Sequence, residues 1–414
     1  MVTAKSANPY RPGAGHMPVY LAGREQERDE FARLLAQKTV FQNMVLTGLR
    51  GVGKTVLLET LKPLAIKQKW LWVGTDLSEA ASISEERIAV RLMTDMSVVT
   101  AALVAGRREL RPIGFRRSVS TPVPLTFPTM LGIFQQTPGL ISDKLKAVLE
   151  LVWSCLRDQQ PRIRGIVFAY DEAQNMSDHA GRNEFPLSLM LDVFQSIQKK
   201  EIPFMLMLVG LPTLFPKLVE ARTYSERMFH IVTLDRLNEA ASRDAILKPI
   251  SDARCPVKFS PAGINAILAA SGGYPYFLQF ICREAFDAYL QDLDKGGSRL
   301  LIGEITRKLD SDFFAARWSR ATDRQRTLLA VIANVDESDT EFTVRQIEEK
   351  ARELLARPFS KSQISQMLAK LAQVGLVYKN RHGKYAFAVP LLGQFIKRQI
   401  EINGDWWDEE LRDR

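Results

Sequence analysis

Two short stretches carry residue types that could do chemistry on a polyphosphate. Gly48-Leu49-Arg50-Gly51-Val52-Gly53-Lys54-Thr55 has the glycine, lysine and hydroxyl spacing of a phosphate-binding loop. A polyphosphate is held by backbone N–H groups, and glycine lets the chain approach it closely in conformations other residues avoid. Lys54 brings a point charge to the outer phosphates, and the Thr55 hydroxyl completes the shell of a Mg2+ ion that also holds phosphate oxygens. The second stretch, Gly165-Ile166-Val167-Phe168-Ala169-Tyr170-Asp171-Glu172, is an apolar run ending in two acids. Asp171 suits the metal shell, and Glu172 suits orienting and activating an attacking water. Glycines also make ordinary turns and apolar runs end in acids by chance, so the surrounding elements decide.

Those elements are in the pattern. Met44-Val45-Leu46-Thr47 reads as a buried strand, and Thr55 to Leu61 as an amphipathic helix whose N-terminus adds partial positive charge. Gly48 through Val56 is therefore the expected nucleotide-lining segment. Strands are expected at Trp70–Asp76, up to Tyr170, at Pro203–Gly210 and at His230–Leu234, with helices at Ser84–Val104, Asp143–Arg157 and Leu187–Lys199. The alternation predicts an α/β domain with a parallel sheet flanked by helices. A polar group after Gly210 would face the γ-phosphate; Thr213 is the available hydroxyl, and an ordinary turn fits equally well. Arg222 and Arg227 follow on a helix, where an arginine either reaches a neighbouring protomer's γ-phosphate or is a solvated charge.

The rest of the chain divides by composition. Residues 1–18, rich in Pro and Gly, read as an extended arm, and Gly23-Arg24-Glu25 opens a helix through Leu35. Arg24 and the arm either contact the nucleotide base or belong to a capped packing helix. The α/β domain spans 19–235 and is interrupted at about 106–139, where Arg107, Arg108, Arg111, Arg116 and Arg117 precede Pro122, Pro124, Pro128 and Pro138. This reads as an insertion with a basic, partly mobile loop, either a solvated linker or a nucleic-acid contact. Residues 236–294 have helical periodicity, Ala240–Ile250, Pro261–Ser271 and Tyr276–Leu290 after Gly273-Tyr274-Pro275, and predict an all-helical lid. A linker and connecting helix, 295–320, contains Lys295-Gly296-Gly297-Ser298. Helices at Asp323–Ala333, at Thr343–Leu355 and from Ser360, then strands Gly375–Lys379 and Lys384–Val389, predict a winged helix-turn-helix over 321–402, before an acidic tail, 403–414.

Arg317 to Arg398 holds fifteen Lys and Arg against eight Asp and Glu, most of the chain's +9 excess. In DNA-binding modules of this shape Lys361, Ser362, Gln363, Ser365 and Gln366 face the major groove, and Arg381 and Lys384 on the wing take phosphates. The competing reading is a packing or regulatory module.

At 414 residues two or three domains are expected. Cys155, Cys255 and Cys282 lie far apart, which argues against a disulfide framework or zinc site and for core thiols in a reducing compartment. The start of the chain lacks a signal peptide's apolar stretch, and the longest apolar run, near Phe204 to Leu211, is too short to span a bilayer. A cytoplasmic protein with no membrane partner is expected.

Taken together, Gly23-Arg24-Glu25, the Gly48–Thr55 loop, Asp171-Glu172, Gly210-Leu211-Pro212, Tyr224-Ser225-Glu226-Arg227, Gly273-Tyr274-Pro275 and a terminal winged helix form a recognisable ordering. It resembles the AAA+ and STAND-like P-loop ATPases of the origin-recognition type, in prokaryotic form, from about Val19 to Arg398. The resemblance implies ATP and Mg2+ as cofactors, with Lys54 and Thr55 on phosphate and metal, Asp171 on metal and Glu172 on the catalytic water. It further implies an arginine-finger role for Arg227 and a lid contact to nucleotide from Gly273 and Pro275. Two features depart from it: many members place Asn where this chain has Gly210-Leu211-Pro212-Thr213, and the arginine-rich insertion lies outside the pattern. The expected function is an ATP-hydrolysing switch coupled through the winged helix to double-stranded DNA or to ATP-dependent self-assembly. The alternative is a nucleotide-dependent scaffold, with slow or no hydrolysis, whose winged helix contacts a partner protein.

Overall fold

The computed structural model describes residues 7–13, 15–110, 119–255, 257–293, 302–336, 340–381, 383–402, 404, 407 and 411. The chain forms two compact units, residues 24–48 with 54–233, and residues 1–23 with 49–53 and 234–414.

The first unit carries, in chain order, α1 (Glu25–Ala36), β1 (Asn43–Gly48), α2 (Lys54–Lys67), β2 (Trp70–Val73), α3 (Glu85–Thr100), β3 (Val104–Leu110), β4 (Val119–Pro124), α4 (Phe127–Gln136), α5 (Ile141–Gln159), β5 (Gly165–Tyr170), α6 (Pro186–Gln198), β6 (Phe204–Gly210), α7 (Leu214–Ala221), α8 (Ser225–Met228) and β7 (Phe229–Leu234). Five of these strands make one sheet in the order β2-β5-β6-β1-β7, and β2–β5, β5–β6 and β6–β1 pair in parallel. Every residue of β1, β5 and β6 is buried, whereas the edge strand β7 mixes buried and exposed positions. This is why the three central strands read as unbroken apolar runs: helices cover both faces of a parallel sheet. Phe168, Phe194 and Phe204 interlock in the core, Phe168 meeting Phe194 edge-on at 5.1 Å between ring centroids. Each such side chain contributes roughly 1.5–3 kcal/mol of burial. Parallel pairing brings the C-terminal ends of β1, β5 and β6 to one edge, the edge where α/β folds hold ligands.

One glycine controls how β2 leaves the sheet. Gly74 has φ +132°, and a Cβ there would lie 1.8 Å from the Ala169 carbonyl oxygen. The turn it allows runs Thr75 to Leu77 alongside Asp171. The Asp171 N–H donates to the Thr75 carbonyl at 3.2 Å and the Leu77 N–H to the Asp171 carbonyl at 2.9 Å.

The insertion is more ordered than the sequence suggested. In place of a loop, β3 and β4 form an antiparallel ribbon with Arg107 opposite Pro122 and Arg108 opposite Thr121, and α4 follows. Proline is tolerated because a two-stranded ribbon is all edge. The ribbon is pinned at its base: the Gln159 amide both accepts from the Val104 N–H and donates to the Val104 carbonyl. Leu103, Leu125, Met130 and Phe134 are buried in the unit's core. Arg111, Arg116 and Arg117 lie outside the described residues, as do the glycine-containing linker 295–298, His382 and Trp406.

The second unit adds α9 (Glu239–Asp252), α10 (Pro261–Ser271), α11 (Pro275–Leu293), α12 (Ile302–Leu309), α13 (Ala315–Trp318), α14 (Asp323–Ala333), β8 (Phe342–Thr343), α15 (Val344–Leu354), α16 (Lys361–Gln373), β9 (Val377–Arg381), β10 (Lys384–Phe387) and α17 (Leu392–Ile402). The arm packs within the second unit. Tyr10 is buried beside Phe259 and Phe286, its hydroxyl donates to the Ile246 carbonyl, and Asn8 donates to the Arg283 carbonyl and to Asp287. Three of the later helices, α14, α15 and α16, accompany an antiparallel sheet of order β8-β10-β9, whose β8 lies between α14 and α15 in the chain, with Phe342 against Phe387 at 5.5 Å. The sequence reading missed two elements here: β8, only two residues long, and α17, whose Phe395 stacks on Phe314 at 5.0 Å.

Candidate active site

The site is built where β1 ends. Gly51 and Gly53 have φ +82° and +91°, the left-handed region, so their identity is fixed by backbone conformation. A Cβ on Gly53 would meet no atom within 4 Å. Lys54 and Thr55 are the first residues of α2, and the Lys54 Nζ donates to the Gly48 carbonyl at 2.9 Å, folding its side chain back over the loop. Leu49 and Val56 are partly buried, Val52 is buried and Arg50 is exposed.

Asp171 follows β5 directly, is buried, and uses both carboxylate oxygens. Oδ1 accepts from the Glu172 N–H at 2.7 Å, and Oδ2 accepts from the Thr55 hydroxyl at 2.6 Å. Thr55 and Asp171, distant in sequence, thus meet as the metal-ligand chemistry requires. Two hard oxygen donors this close suit a divalent cation such as Mg2+, which is bound through one or two protein oxygens plus phosphate. A third acid stands beside them: burial, then the charges of Asp171, Glu172 and Glu59, raises the Asp76 pKa above its usual value. A local excess of negative charge favours cation binding. Asp76 had been read only as the end of a strand; its signal was an acid closing an apolar run, as at Asp171.

Glu172 itself adopts φ +53°, ψ +31°, a left-handed conformation uncommon for a residue with a side chain. Its carboxylate accepts from the Gln174 amide. The Gln174 Oε1 accepts from the Leu211 N–H at 3.1 Å, at the end of β6. Thr213 precedes α7 and makes no side-chain capping bond.

The remaining expected site residues are placed as follows. Arg24 is buried at the head of α1 and ion-paired with Glu27 at 3.1 Å. Arg222 is held within its own unit by Asp192, at 2.8 and 2.6 Å, and by Ser188. Arg227, on α8, is exposed, and among the described residues no carboxylate pairs with it. Gly273 has φ +78°, and its carbonyl accepts from the Leu237 N–H at 2.9 Å. Pro275 begins α11, whose Tyr276 N–H donates to the Gly51 carbonyl at 3.1 Å within the second unit.

On the C-terminal module Lys361, Ser362, Gln363, Ser365 and Gln366 are all exposed on α16. Gln363 also serves the helix end: its Oε1 accepts from the Ser360 N–H at 3.0 Å, and the Ser360 hydroxyl accepts from the Gln363 N–H. Arg381 on β9 and Lys384 on β10 are both paired with one carboxylate, Glu341, which lies 2.7 Å from Arg381 and 3.2 Å from Lys384. The bond from Arg381 is the main cause that holds the Glu341 pKa down, at about 2.

Fold and site together define a P-loop α/β fold of the AAA+ type. It is shared with the Walker-type ATPase PABY2304 of Pyrococcus abyssi, at 16% identity and a TM-score of 0.55 over 91% of this chain and 96% of that one. It is shared also with the Aeropyrum pernix ORC2 protein, solved in ADPNP–ADP complexes, at 15% identity and a TM-score of 0.51 over 94% of this chain and 96% of that one. Residues 311–396 match a family described as a domain of unknown function (DUF8462). No curated protein matches the chain. Among the described residues no helix is long and apolar enough to cross a membrane.

Proposed function

We propose that this chain binds ATP with Mg2+, hydrolyses it, and couples nucleotide state to a C-terminal winged helix. The observation that carries the reading is the 2.6 Å contact between the Thr55 hydroxyl and Asp171, together with the left-handed backbone of Gly51 and Gly53. In this reading the Gly48–Val56 segment and Lys54 bind the polyphosphate, while Thr55 and Asp171 hold the metal. A Mg2+ ion held by Thr55 and Asp171 would supply charge neutralisation to the polyphosphate. Glu172 would orient a water and accept its proton as the water attacks the γ-phosphorus and the bond to the β–γ bridging oxygen breaks, leaving ADP and inorganic phosphate. Arg227, exposed, is the residue that would reach the nucleotide of a second copy, and Gly273 and Pro275 would contact nucleotide from the helical unit. Lys54→Ala is expected to lower ATP affinity about 10- to 100-fold, as loss of a charged hydrogen bond does. Equilibrium binding of a fluorescent ATP analogue tests this; unchanged affinity would contradict it.

Duplex DNA is the proposed partner of Lys361, Ser362, Gln363, Arg381 and Lys384. A second reading, a nucleotide-dependent scaffold whose winged helix contacts protein, is favoured by one observation: Arg381 and Lys384 are already both paired with Glu341. Salt-dependent duplex binding separates the two.

A further inference from the structure

We infer that Gln174 is a positioning residue for the Glu172 carboxylate, tying it to the end of β6. The inference rests on the role proposed for Glu172 and adds a residue to it.

Gln174 lies in the short turn Ala173–Asn175 that follows the two acids. Its carboxamide faces two ways. The Nε2 donates to Glu172 Oε2, and the Oε1 accepts from the Leu211 N–H at 3.1 Å. A carboxamide is the side chain that offers a donor and an acceptor at this separation; a carboxylate lacks the donor and a thioether lacks the donor and any strong acceptor. Room for it depends on Gly210, where a Cβ would lie 2.6 Å from the Gln174 oxygen.

The turn is fixed from other elements too. Lys217 on α7 donates its Nζ to the Gln174 carbonyl at 2.8 Å, Asn175 donates its amide to the Leu77 carbonyl at 2.8 Å, and the Asn175 N–H donates to the Glu172 carbonyl at 2.9 Å. Glu172 sits in a left-handed backbone conformation that surrounding contacts must hold in place. Its carboxylate direction is then set by Gln174, and Gln174 is in turn set by the end of β6. A displacement at Leu211 therefore reaches the carboxylate through one side chain. The polar group that the sequence lacks at Gly210-Leu211-Pro212 is thus supplied from the neighbouring strand's turn.

The test uses the full chain and two substitutions. Gln174→Met removes both hydrogen bonds, whereas Gln174→Glu keeps an acceptor for Leu211 and loses the donor to Glu172. Both are expected to lower kcat about tenfold or more, because a small misplacement of a reacting group carries that penalty, with ATP KM and the Kd of a non-hydrolysable analogue within about twofold of wild type. In a Glu172→Ala background, Gln174→Met is expected to lower the single-turnover rate no further, since it acts through the missing carboxylate. Wild-type kcat in both variants, or the same fractional loss with and without Glu172, would overturn the inference. If Gln174→Met fails to melt like wild type, Gln174→Glu, which keeps the β6 contact, decides. A Glu172→Ala enzyme with wild-type turnover would instead remove the catalytic reading of Glu172, and this inference with it.

Discussion

Asp171 and Thr55 were legible in the sequence because phosphate and metal chemistry fixes residue types at set spacings, whatever the rest of the fold does. Gln174 was not, although it stands two residues from Glu172: its role exists only because β5 and β6 are neighbours, which no local pattern records. Asp76 and Gly74 were hidden for the same reason. Gly74 is where backbone strain can be argued, since its φ of +132° and the 1.8 Å approach to Ala169 leave no room for a side chain. Gly74→Ala is expected to destabilise the first unit by at least ~2 kcal/mol, combining the left-handed penalty with displacement of β5. Urea unfolding followed by Trp fluorescence checks it; a loss under 0.5 kcal/mol, on the order of a neutral surface change, would contradict the account of that turn.

At the scale of elements, alternation and burial gave α1, α3, α5, α6 and the central strands of the first unit to within a few residues, because a buried parallel sheet has a strong compositional signature; α4 was not read, and the one helix expected to carry Arg222 and Arg227 is α7 and α8 with Arg222 between them. The ribbon β3–β4 was read as a loop, since arginine and proline obscure the period of a short strand whose pairing lies wholly within the insertion. The wing shows a similar limit. Exposed cations suggested phosphate contacts, but the pairing of Arg381 and Lys384 with Glu341 depends on where Glu341 falls in the fold. If the wing binds duplex, Glu341→Gln is expected to strengthen that binding several-fold at low salt and steepen its log–log salt dependence by about one to two units. An unchanged salt slope in an electrophoretic or anisotropy titration would remove the wing from the interface. The same carboxylate makes a pH prediction. Its folded-state pKa, about 2, lies below the ordinary 4.5, so its stabilising contribution is complete above about 4.5 and is lost as pH falls from there towards 2. Glu341→Gln should flatten the decline in stability over that window, read from urea midpoints at several pH values. Gln363→Ala, which removes half of a capping box, is expected to cost about 1 kcal/mol of stability, so any effect on DNA preference must be read beside its melting curve.

At the scale of the whole molecule, the sheet order β2-β5-β6-β1-β7 places the loop of one strand and the acids of another at a common edge, with β6 between them. That order is why one site can use residues from widely separated parts of the chain, and why Gln174, in the turn after β5, can reach the end of β6. Self-assembly is a further proposal at this scale. If exposed Arg227 acts on a neighbour's nucleotide, mixing Arg227→Ala with Glu172→Gln chains should restore some of the turnover each lacks, where complementary sites form; a monomer with full activity at every concentration would contradict that role. The central claim, that the Gly48–Thr55 loop binds ATP and Glu172 drives its hydrolysis, is tested most directly by one paired measurement: ATP affinity and turnover for Glu172→Gln. The account expects affinity near wild type and turnover lowered about 100-fold or more, the scale of general-base catalysis. Wild-type turnover, or loss of binding with the fold intact, would contradict it.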